Sequence, residues 1–235
     1  MIKKVNKSLS IVVPCFNEES NLGKTYKEIK KSLKQSKIKN YEIIFVDDYS
    51  SDTTKEKIKV ILKMDDKTKL LSNKKNLGLG ASVLRGYKNS KLYYCTYVPG
   101  DNSHPNKGLS MIYQKIDFKN IKLIIPFVAD RSSRNFFRVI LSDTYTKIVN
   151  FSFNLNIPYY NSLCVYPTSE INKLTLISKG FSFQSEILIR LLKKKFKYKL
   201  VNTVLRENRQ FFSTALSLGS LKSVILSIIK LRIRI

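Results

Sequence analysis

Residues 10–19, SIVVPCFNEE, are the most informative stretch of the sequence, and residues 41–50, YEIIFVDDYS, repeat their pattern. Each stretch is a short β-rich run that ends in a polar cluster containing carboxylates, and each precedes a segment with helical periodicity. Two consecutive strand–helix units that place acidic and amide groups at strand C-termini are how an open α/β sheet builds a nucleotide site. The two stretches therefore predict a nucleotide site at one edge of an α/β sheet.

The alternation of strand and helix continues along the chain. The patterns predict strands at 9–13, 41–46, 69–72 and 91–98, with helices at 21–34, about 52–64 and about 76–89. After residue 118 the pattern loosens, and it predicts strands at 121–126 and 199–205 with helices at 138–155 and 181–195. No internal repeat or low-complexity linker interrupts these elements. We therefore expect one α/β domain over residues 1–212, with a mostly parallel sheet flanked by helices.

Residues 213–235 differ in kind from the rest. Serines, followed by a lysine and an arginine, recur there at steps of three and four, and leucine, isoleucine and valine fill most positions between them. This spacing places the polar groups on one stripe of a helix, which predicts an amphipathic helix in the plane of a membrane interface. The alternative is a helix buried against the sheet or a partner subunit. A transmembrane span is disfavoured, because Lys222 interrupts the segment and Gly219 weakens it.

The charge and the cysteines bound the possible partners and the compartment. The 235 residues hold 43 Lys and Arg against 17 Asp and Glu, a net charge of +26 that favours anionic membrane surfaces, phosphate-bearing substrates or nucleic acid. The alternative is lysines spread over solvated helix faces without a specific patch. No nucleic-acid-binding motif accompanies the charge, so no nucleic-acid partner is expected. Three widely spaced cysteines predict a reducing compartment and no structural zinc, hence a cytoplasmic location.

The two opening stretches resemble the first motifs of family 2 glycosyltransferases with the GT-A fold, in the dolichyl-phosphate mannosyltransferase-like branch that uses polyprenyl phosphates. In that family the Pro, aromatic and Glu residues of the first motif contact the nucleotide, and they match Pro14, Phe16 and Glu18 here. The resemblance implies that these three residues bind the nucleotide sugar. The alternative for any one of them is a turn former or strand-end cap.

Residues 46–52, VDDYSSD, resemble the second family motif, V-D-D-x-S-x-D. The resemblance implies that Asp48 binds the base or ribose, with help from a backbone carbonyl such as that of Val46. Residues 76–81, NLGLGA, resemble the family's N-x-G-x-G-A segment. Two glycines at a helix start let the backbone approach a ligand closely, although packing against a neighbouring strand is an alternative role.

Residues 97–105, YVPGDNSHP, resemble the family's metal-binding motif D-A-D-x-x-x-x-P. The second Asp is present as Asp101 beside Gly100, whereas Pro99 replaces the first, and Ser103 falls where relatives often supply Gln. The resemblance implies a Mg²⁺ or Mn²⁺ site at Asp101 and Ser103, weakened by the loss of one carboxylate. The replacement allows three interpretations: a metal site with fewer protein ligands, an enzyme that relies on Arg and Lys in place of the metal, or a degenerate pseudoenzyme.

Two further arginines match phosphate-contacting positions of the family. Arg131 matches the Arg of the family's G-S-R, and Arg209 matches that of R-x-x-G-x-S-K, whose Gly and Lys are absent here. A guanidinium can bind two phosphate oxygens at once. Asp101 and Asp130 are the candidate catalytic residues, with Asp130 the candidate base if the acceptor is a hydroxyl group.

The resemblance implies an inverting glycosyltransferase that moves a hexose from a UDP- or GDP-sugar to a polyprenyl phosphate or a cell-envelope glycan. The expected partners are the nucleotide sugar, the acceptor and an anionic membrane surface, with the protein peripheral on the inner face of the cytoplasmic membrane. The alternative is a catalytically weakened or inactive family member that binds a membrane or a partner protein.

Overall fold

A computed structural model of the chain describes residues 8–116, 123–131, 136–176 and 182–206, together with Arg232. In these ranges the strands are β1 (Ser8–Cys15), β2 (Asn40–Asp47), β3 (Thr68–Ser72), β4 (Tyr94–Tyr97), β5 (Leu123–Phe127), β6 (Tyr166–Pro167) and β7 (Tyr198–Asn202). The helices are α1 (Leu22–Gln35), α2 (Thr54–Met64), α3 (Leu79–Lys88), α4 (Asn106–Tyr113), α5 (Phe136–Phe153), α6 (Thr168–Asn172) and α7 (Phe183–Lys193).

A five-stranded sheet with the order β3-β2-β1-β4-β6 forms the centre of the domain. The strands β1 to β4 are parallel, and β6 pairs with β4 in the antiparallel sense. All eight residues of β1 are buried, as expected for the middle strand of a parallel sheet that is covered on both faces. Helix α3 packs closely on β1, because a Cβ atom added to Gly86 would lie 2.2 Å from Cγ1 of Val12. The predicted fold class, a mostly parallel sheet flanked by helices, is confirmed.

The second half of the chain departs from a single parallel sheet. Strands β5 and β7 pair in parallel as a separate two-stranded sheet, linked to the first by an isolated antiparallel bridge between Ile124 and Val165. Helices α4 and α6 and strand β6 were not predicted, because each is too short to show a clear period. The fourth strand is shorter than the predicted 91–98, and the last strand ends at Asn202 instead of residue 205.

The two predictions for the C-terminal region lie outside the described residues. These are the domain boundary at residue 212 and the amphipathic helix over 213–235, and both stay predictions. Among the residues that the structure describes, no helix is both long and apolar enough to cross a membrane.

Candidate active site

The C-terminal ends of β1, β2 and β4 meet at one edge of the central sheet. The amide of Asp48 donates to the carbonyl of Cys15 at 2.8 Å, and the amide of Gly100 donates to the carbonyl of Pro14 at 3.1 Å. These bonds extend the parallel ladders beyond the strands and hold the three polar motifs side by side. The structure therefore brings together the first, second and metal-binding motifs, as the sequence predicts for an open α/β sheet.

Gly100 is the point at which the metal-binding motif contacts the first motif. A Cβ atom at this position would lie 3.1 Å from Cys15 Sγ, 3.2 Å from the Pro14 carbonyl oxygen and 3.3 Å from Glu18 Cγ. Such contacts are tight for any side chain, so the missing Cβ lets the loop that follows β4 pack directly on the first motif. This packing brings Asp101 near Glu18.

The loops after β1 and β2 are cross-linked by hydrogen bonds. The side chain of Asn17, whose φ of 55° is left-handed, accepts from the Ser51 amide at 2.9 Å, and the Glu18 amide donates to Thr54 Oγ1 at 2.7 Å. Glu19 accepts from the amide of Thr53 at 3.0 Å. Sequence reasoning missed Asn17, Glu19 and Thr54, although the acidic, amide and hydroxyl residues clustered in both loops are a signal for such capping bonds.

The residues of the first motif face different environments. Phe16 is 47% exposed in the loop after β1, and Tyr49 is 60% exposed in the loop after β2. Pro14 and Val46 are paired in the β1–β2 register and are buried, and the Pro14 carbonyl accepts from the Gly100 amide. The rim therefore offers exposed aromatic rings, which suit a base that stacks on one of them. Contact of the nucleotide with Pro14 and with the backbone of Val46 stays a prediction.

Glu18 and Asp101 bring two negative charges close together. Burial is the largest effect on Glu18 and raises the pKa of its carboxyl group; the nearby carboxylates of Asp101 and Asp52 raise it further, while a hydrogen bond from Asn21 Nδ2 at 3.1 Å opposes the change. Two carboxylates that repel one another in a partly desolvated place favour a bound cation between or beside them.

The loop of Asp101 is shaped by its own serine. Oδ1 of Asp101 accepts hydrogen bonds from the amide of Ser103 at 3.0 Å and from its hydroxyl at 2.6 Å. The Ser103 hydroxyl also lies 2.8 Å from Nδ1 of His104. Within the described residues, Oδ2 of Asp101 accepts no hydrogen bond. Ser103 thus orients the carboxylate through Oδ1 and leaves Oδ2 available for a ligand.

Helix α1 and the segment after β7 hold this loop from two sides. Thr25 Oγ1 donates to the Gly100 carbonyl at 2.8 Å and accepts from the Asn102 amide at 2.9 Å. On the other side, the Arg206 amide donates to the Ser103 carbonyl at 2.9 Å, and Arg206 Nε donates to the Asn102 carbonyl at 3.1 Å. The sequence gives no motif for Thr25 or Arg206, so both were missed.

Asp48 is buried and supports the glycine segment that precedes α3. Its carboxylate accepts from Asn73 Nδ2 at 2.7 Å and from the amides of Leu77 and Gly78, both at 2.8 Å. Gly78 has a φ of 83°, a conformation that favours glycine. The structure therefore gives Asp48 the task of fixing the turn at Gly78, and its contact with a base or ribose stays a prediction.

Asp130 and Arg131 follow β5 at the same edge of the fold. Asp130 is exposed, and half-buried Arg131 forms an ion pair with Asp143 of α5. Arg131 also lines a small cavity of about 160 Å³ together with Phe127 and Tyr159. Its guanidinium already has a carboxylate partner, so a phosphate would have to share or displace Asp143. Arg209 lies outside the described residues, and its predicted role stays a prediction.

The described side chains at the site can supply part of the oxygen ligands that a divalent cation needs. Among the residues that the structure describes, no three or more His, Cys, Asp and Glu side chains are grouped to hold a metal ion. Asp101 supplies one oriented carboxylate and Glu18 a second one nearby, while Mg²⁺ and Mn²⁺ prefer about six oxygen ligands. The residues therefore fit a cation whose other ligands come from a diphosphate and water.

Comparison with known sequences identifies the family. Residues 10–180 match the glycosyl transferase family 2 domain, which covers all three motifs at the sheet edge. The chain belongs to glycosyl transferase family 2. It is similar to a dolichol-phosphate mannosyltransferase of Pyrococcus furiosus, at 31% identity over 108 residues that span 46% of this chain and 30% of the relative. The predicted resemblance is therefore confirmed at the level of the family.

Solved structures confirm the GT-A fold. A mannosyltransferase from Pyrobaculum calidifontis in complex with GDP-Man and Mn²⁺ has a TM-score of 0.68 at 12% identity, and covers 97% of this chain and 64% of its own. A glucosyl-3-phosphoglycerate synthase from Mycobacterium tuberculosis in complex with Mn²⁺, UDP and phosphoglyceric acid has a TM-score of 0.65 at 15% identity. The match covers 96% of this chain and 78% of the synthase chain. The matched segments of the curated relatives span less than half of their length, between 24% and 46%.

Proposed function

We propose that this chain is an inverting glycosyltransferase that moves a hexose from a UDP- or GDP-sugar to a polyprenyl phosphate or a cell-envelope glycan. One observation carries the proposal: the loop of Asp101 packs through Gly100 directly on Pro14 and Glu18. That packing brings the Asp101 loop against the first motif at the C-terminal edge of the sheet, which supports a shared site for the predicted nucleotide contacts and the predicted metal ligand. Family membership, and relatives named as dolichol-phosphate transferases, support the same activity.

Each residue group of the site has a separate task in this proposal. Phe16 and the backbone at Val46 contact the base, Asp48 fixes the turn at Gly78, and Glu18 lies toward the diphosphate. Asp101 and Ser103 would hold the Mg²⁺ or Mn²⁺ ion, which neutralises the diphosphate leaving group when it is bound. Because the side chain of Pro99 has no oxygen to act as a ligand, this site needs the diphosphate oxygens to complete it.

The transfer itself is a displacement at the anomeric carbon. The acceptor oxygen forms a bond to that carbon from the face opposite the diphosphate, and the bond to the diphosphate oxygen breaks with its electron pair, which releases the nucleoside diphosphate. A lipid phosphate is already an anion and needs little help from a base, whereas a sugar hydroxyl must lose a proton. Asp130 is the candidate acceptor for that proton, and Arg131 is the candidate to bind an acceptor or donor phosphate.

Release of nucleoside diphosphate tests the proposal. Full-length protein is given UDP- and GDP-sugars with and without Mn²⁺ and polyprenyl phosphate, beside Asp101→Ala and the matched control Asp66→Ala, which removes an exposed carboxylate remote from the site. We expect release that needs metal and Asp101 and is unchanged in the control. Release that is equal in both variants would contradict the assignment of Asp101, and no release from any donor would contradict the enzyme activity.

The Asp130→Asn substitution separates the two acceptor classes. With a lipid phosphate acceptor the rate should change little, because the nucleophile is already ionised. With a hydroxyl acceptor the loss of a general base should lower kcat by about 10²- to 10⁴-fold. A loss of that size with polyprenyl phosphate as acceptor would contradict the phosphate mechanism.

One observation favours a second candidate function. Pro99 replaces a carboxylate of the metal motif, which is consistent with a catalytically weakened or inactive member that binds a partner or a membrane through the same fold. Such a member would bind no nucleotide in a Mn²⁺-dependent manner. Tight, Mn²⁺-dependent binding of UDP or GDP that Asp101→Ala removes would exclude it.

The partner surface and location form part of the same proposal. The charge of +26 suits a protein that lies on an anionic leaflet, peripheral on the inner face of the cytoplasmic membrane, with residues 213–235 as an interfacial helix that follows a catalytic domain over 1–212. Fractionation of cells that express the full chain, with salt and carbonate washes of the membranes, tests the location. Protein that stays in the supernatant at low salt would contradict it.

A further inference from the structure

Helix α5 carries apolar side chains on the face that points away from the core. Val149 and Phe153 are buried on its inner side, whereas Ile140, Ile148 and Phe151 are 45%, 45% and 91% exposed on its outer side. At 3.6 residues per turn these three side chains fall within an arc of about 80°. A surface helix normally presents polar residues to water, so an outer apolar stripe indicates that something apolar covers it.

A basic groove adjoins the C-terminal end of this stripe. Its volume is about 630 Å³, with Leu155, Leu192 and Tyr198 among its apolar lining and Lys195, Lys197 and Lys199 around them. The amide of Leu155, which lines the groove, donates to the carbonyl of Asn150 at 2.9 Å, so the groove adjoins the last turn of α5, which carries Phe151. The groove and the stripe of Ile140, Ile148 and Phe151 together are called the docking face below.

The lysines of the docking face carry positive charge that no carboxylate of the described residues neutralises. Lys195, Lys197 and Lys199 are exposed, and within the described ranges none of them forms an ion pair with a carboxylate. Exposed Lys193 and Lys194 add to the same cluster at the end of α7. Apolar side chains next to uncompensated lysines match a bilayer surface, where acyl chains lie beneath anionic headgroups.

We infer that the docking face binds an anionic lipid bilayer, with Phe151 and Ile148 entering the interface and Lys195, Lys197 and Lys199 contacting the headgroups. This inference rests on the proposed membrane-associated function and assigns that role to a specific surface. A second copy of the chain is a poorer occupant, because a two-fold interface would bring the same lysines face to face.

The position of the face relative to the site is consistent with a lipid acceptor. Strands β5 and β7 end together near the site, where the Ala129 amide donates to Asn202 Oδ1 at 3.1 Å, and α5 begins five residues after Arg131. The groove lies at the start of β7, at the opposite edge of the fold. The docking face therefore extends from the rim of the site across the domain, so a bilayer against it would also lie beside that rim.

Vesicle flotation with the full chain tests the inference without nucleotide or acceptor, so that it does not depend on catalysis. The charge variant is K195Q/K197Q/K199Q and the apolar variant is I148S/F151S. Matched controls come from α2, which packs on β3 at the other edge of the sheet: K55Q/K59Q/K63Q, and V60S/M64S, which replaces side chains that are 55% and 69% exposed. Circular dichroism and thermal melting verify that each variant is folded.

We expect the wild-type protein to float with vesicles of equal phosphatidylglycerol and phosphatidylcholine, and weakly with phosphatidylcholine alone. The charge variant should bind roughly a hundred-fold more weakly, at about fivefold for each lysine, and the apolar variant at least about tenfold more weakly. The α2 controls should bind much more like the wild type.

Two results would overturn the inference. Equal losses in the docking-face variants and the α2 controls would mean that total charge, and not this surface, determines binding. Unchanged flotation of I148S/F151S, together with a change from dimer to monomer in sedimentation, would mean that the face is an interface between copies. Because the flotation assay contains no nucleotide, its result tests the docking face even if the proposed transferase activity is not found.

Discussion

Arg206 is expected to control nucleotide binding from outside the site, because it holds the loop that carries Asp101. Its guanidinium donates through Nε to the Asn102 carbonyl at 3.1 Å, and Nη2 lies 3.3 Å from Oε1 of Glu28. Burial raises the pKa of Glu28, but hydrogen bonds from Asn106 and the charge of Arg206 outweigh it, so the pKa is lowered overall. The perturbation is Arg206→Ala, with Arg206→Lys as the variant that keeps the charge.

The magnitude follows from the exposure of the partners. The side chains of Arg206 and Glu28 are 44% and 16% exposed, so the ion pair contributes about 0.5 kcal/mol. The hydrogen bond to the Asn102 carbonyl contributes about 1 kcal/mol. The amide bond from Arg206 to Ser103 survives the substitution. Arg206→Ala should therefore lower the free energy of unfolding by about 1–2 kcal/mol without unfolding the protein.

The effect on the site should be visible as weaker binding. A loop that loses about 1 kcal/mol of support should bind Mn²⁺ with UDP or GDP about fivefold more weakly. Arg206→Lys should fall between, because an ammonium group cannot reach the carbonyl and the carboxylate in the same planar geometry. Urea unfolding measures stability, and titration followed by the Mn²⁺ electron paramagnetic resonance signal measures binding.

Lys173→Ala breaks a remote surface ion pair with Glu170, 2.6 Å long, and should leave Mn²⁺ and nucleotide binding unchanged. If Arg206→Ala loses stability but binds Mn²⁺ and nucleotide as tightly as the wild type, Arg206 supports only the fold. The claim that it positions the Asp101 loop would then be wrong.

Three further predictions concern the packing and charge of the site. Gly86→Ala should cost about 1–3 kcal/mol, because its Cβ would lie 2.2 Å from Cγ1 of Val12, and Val12→Ala should recover part of that loss in a double-mutant cycle. Asp48→Asn should cost about 1–3 kcal/mol in urea unfolding, since one of its two acceptor oxygens is replaced by a donor beside backbone amides; equal stability would contradict its role in the turn. Because burial and the Asp101 charge raise the pKa of Glu18, this carboxyl group binds more protons in the folded state than in the unfolded one, so its own contribution to stability should fall as pH rises from the unfolded value of 4.5 through the folded pKa. Glu18→Gln should remove that decline when unfolding is measured from pH 4 to 7, and a parallel pH profile would contradict it.

The first half of the chain was predictable because its local and long-range signals agree. Residues 9–13 and 41–46 are mostly apolar runs, and the structure makes them buried neighbouring strands, β1 and β2, each one or two residues longer at either end. Their polar ends then meet by topology alone, since parallel strands finish at one edge. The fold and the grouping of the three motifs therefore followed from periodicity and resemblance.

The residues that hold the Asp101 loop in place could not be predicted from the sequence, and the reason is physical. Thr25 and Arg206 act on the Asp101 loop across 75 and more residues of sequence, through backbone carbonyls and amides that every residue possesses. Every residue has a backbone carbonyl, so no residue type in the sequence signals its use as an acceptor. Only the three-dimensional arrangement shows which hydroxyl or guanidinium group reaches it. The short helix α4 was missed in the same way, because its start depends on Glu28 of α1, which accepts from the Asn106 amide.

The contacts that hold the Asp101 loop bear on the loss of a metal-motif carboxylate at Pro99. A site with two carboxylates in one motif can hold a cation by itself, whereas here one carboxylate, Asp101, is oriented by Ser103 and faces Glu18 from a different strand. The two charges meet only because Gly100 packs on the first motif and because Thr25 and Arg206 fix the loop. If this arrangement replaces the lost carboxylate, metal affinity should depend on Gly100 and Arg206 as well as on Asp101, a coupling that a site built on two aspartates of one motif would not need.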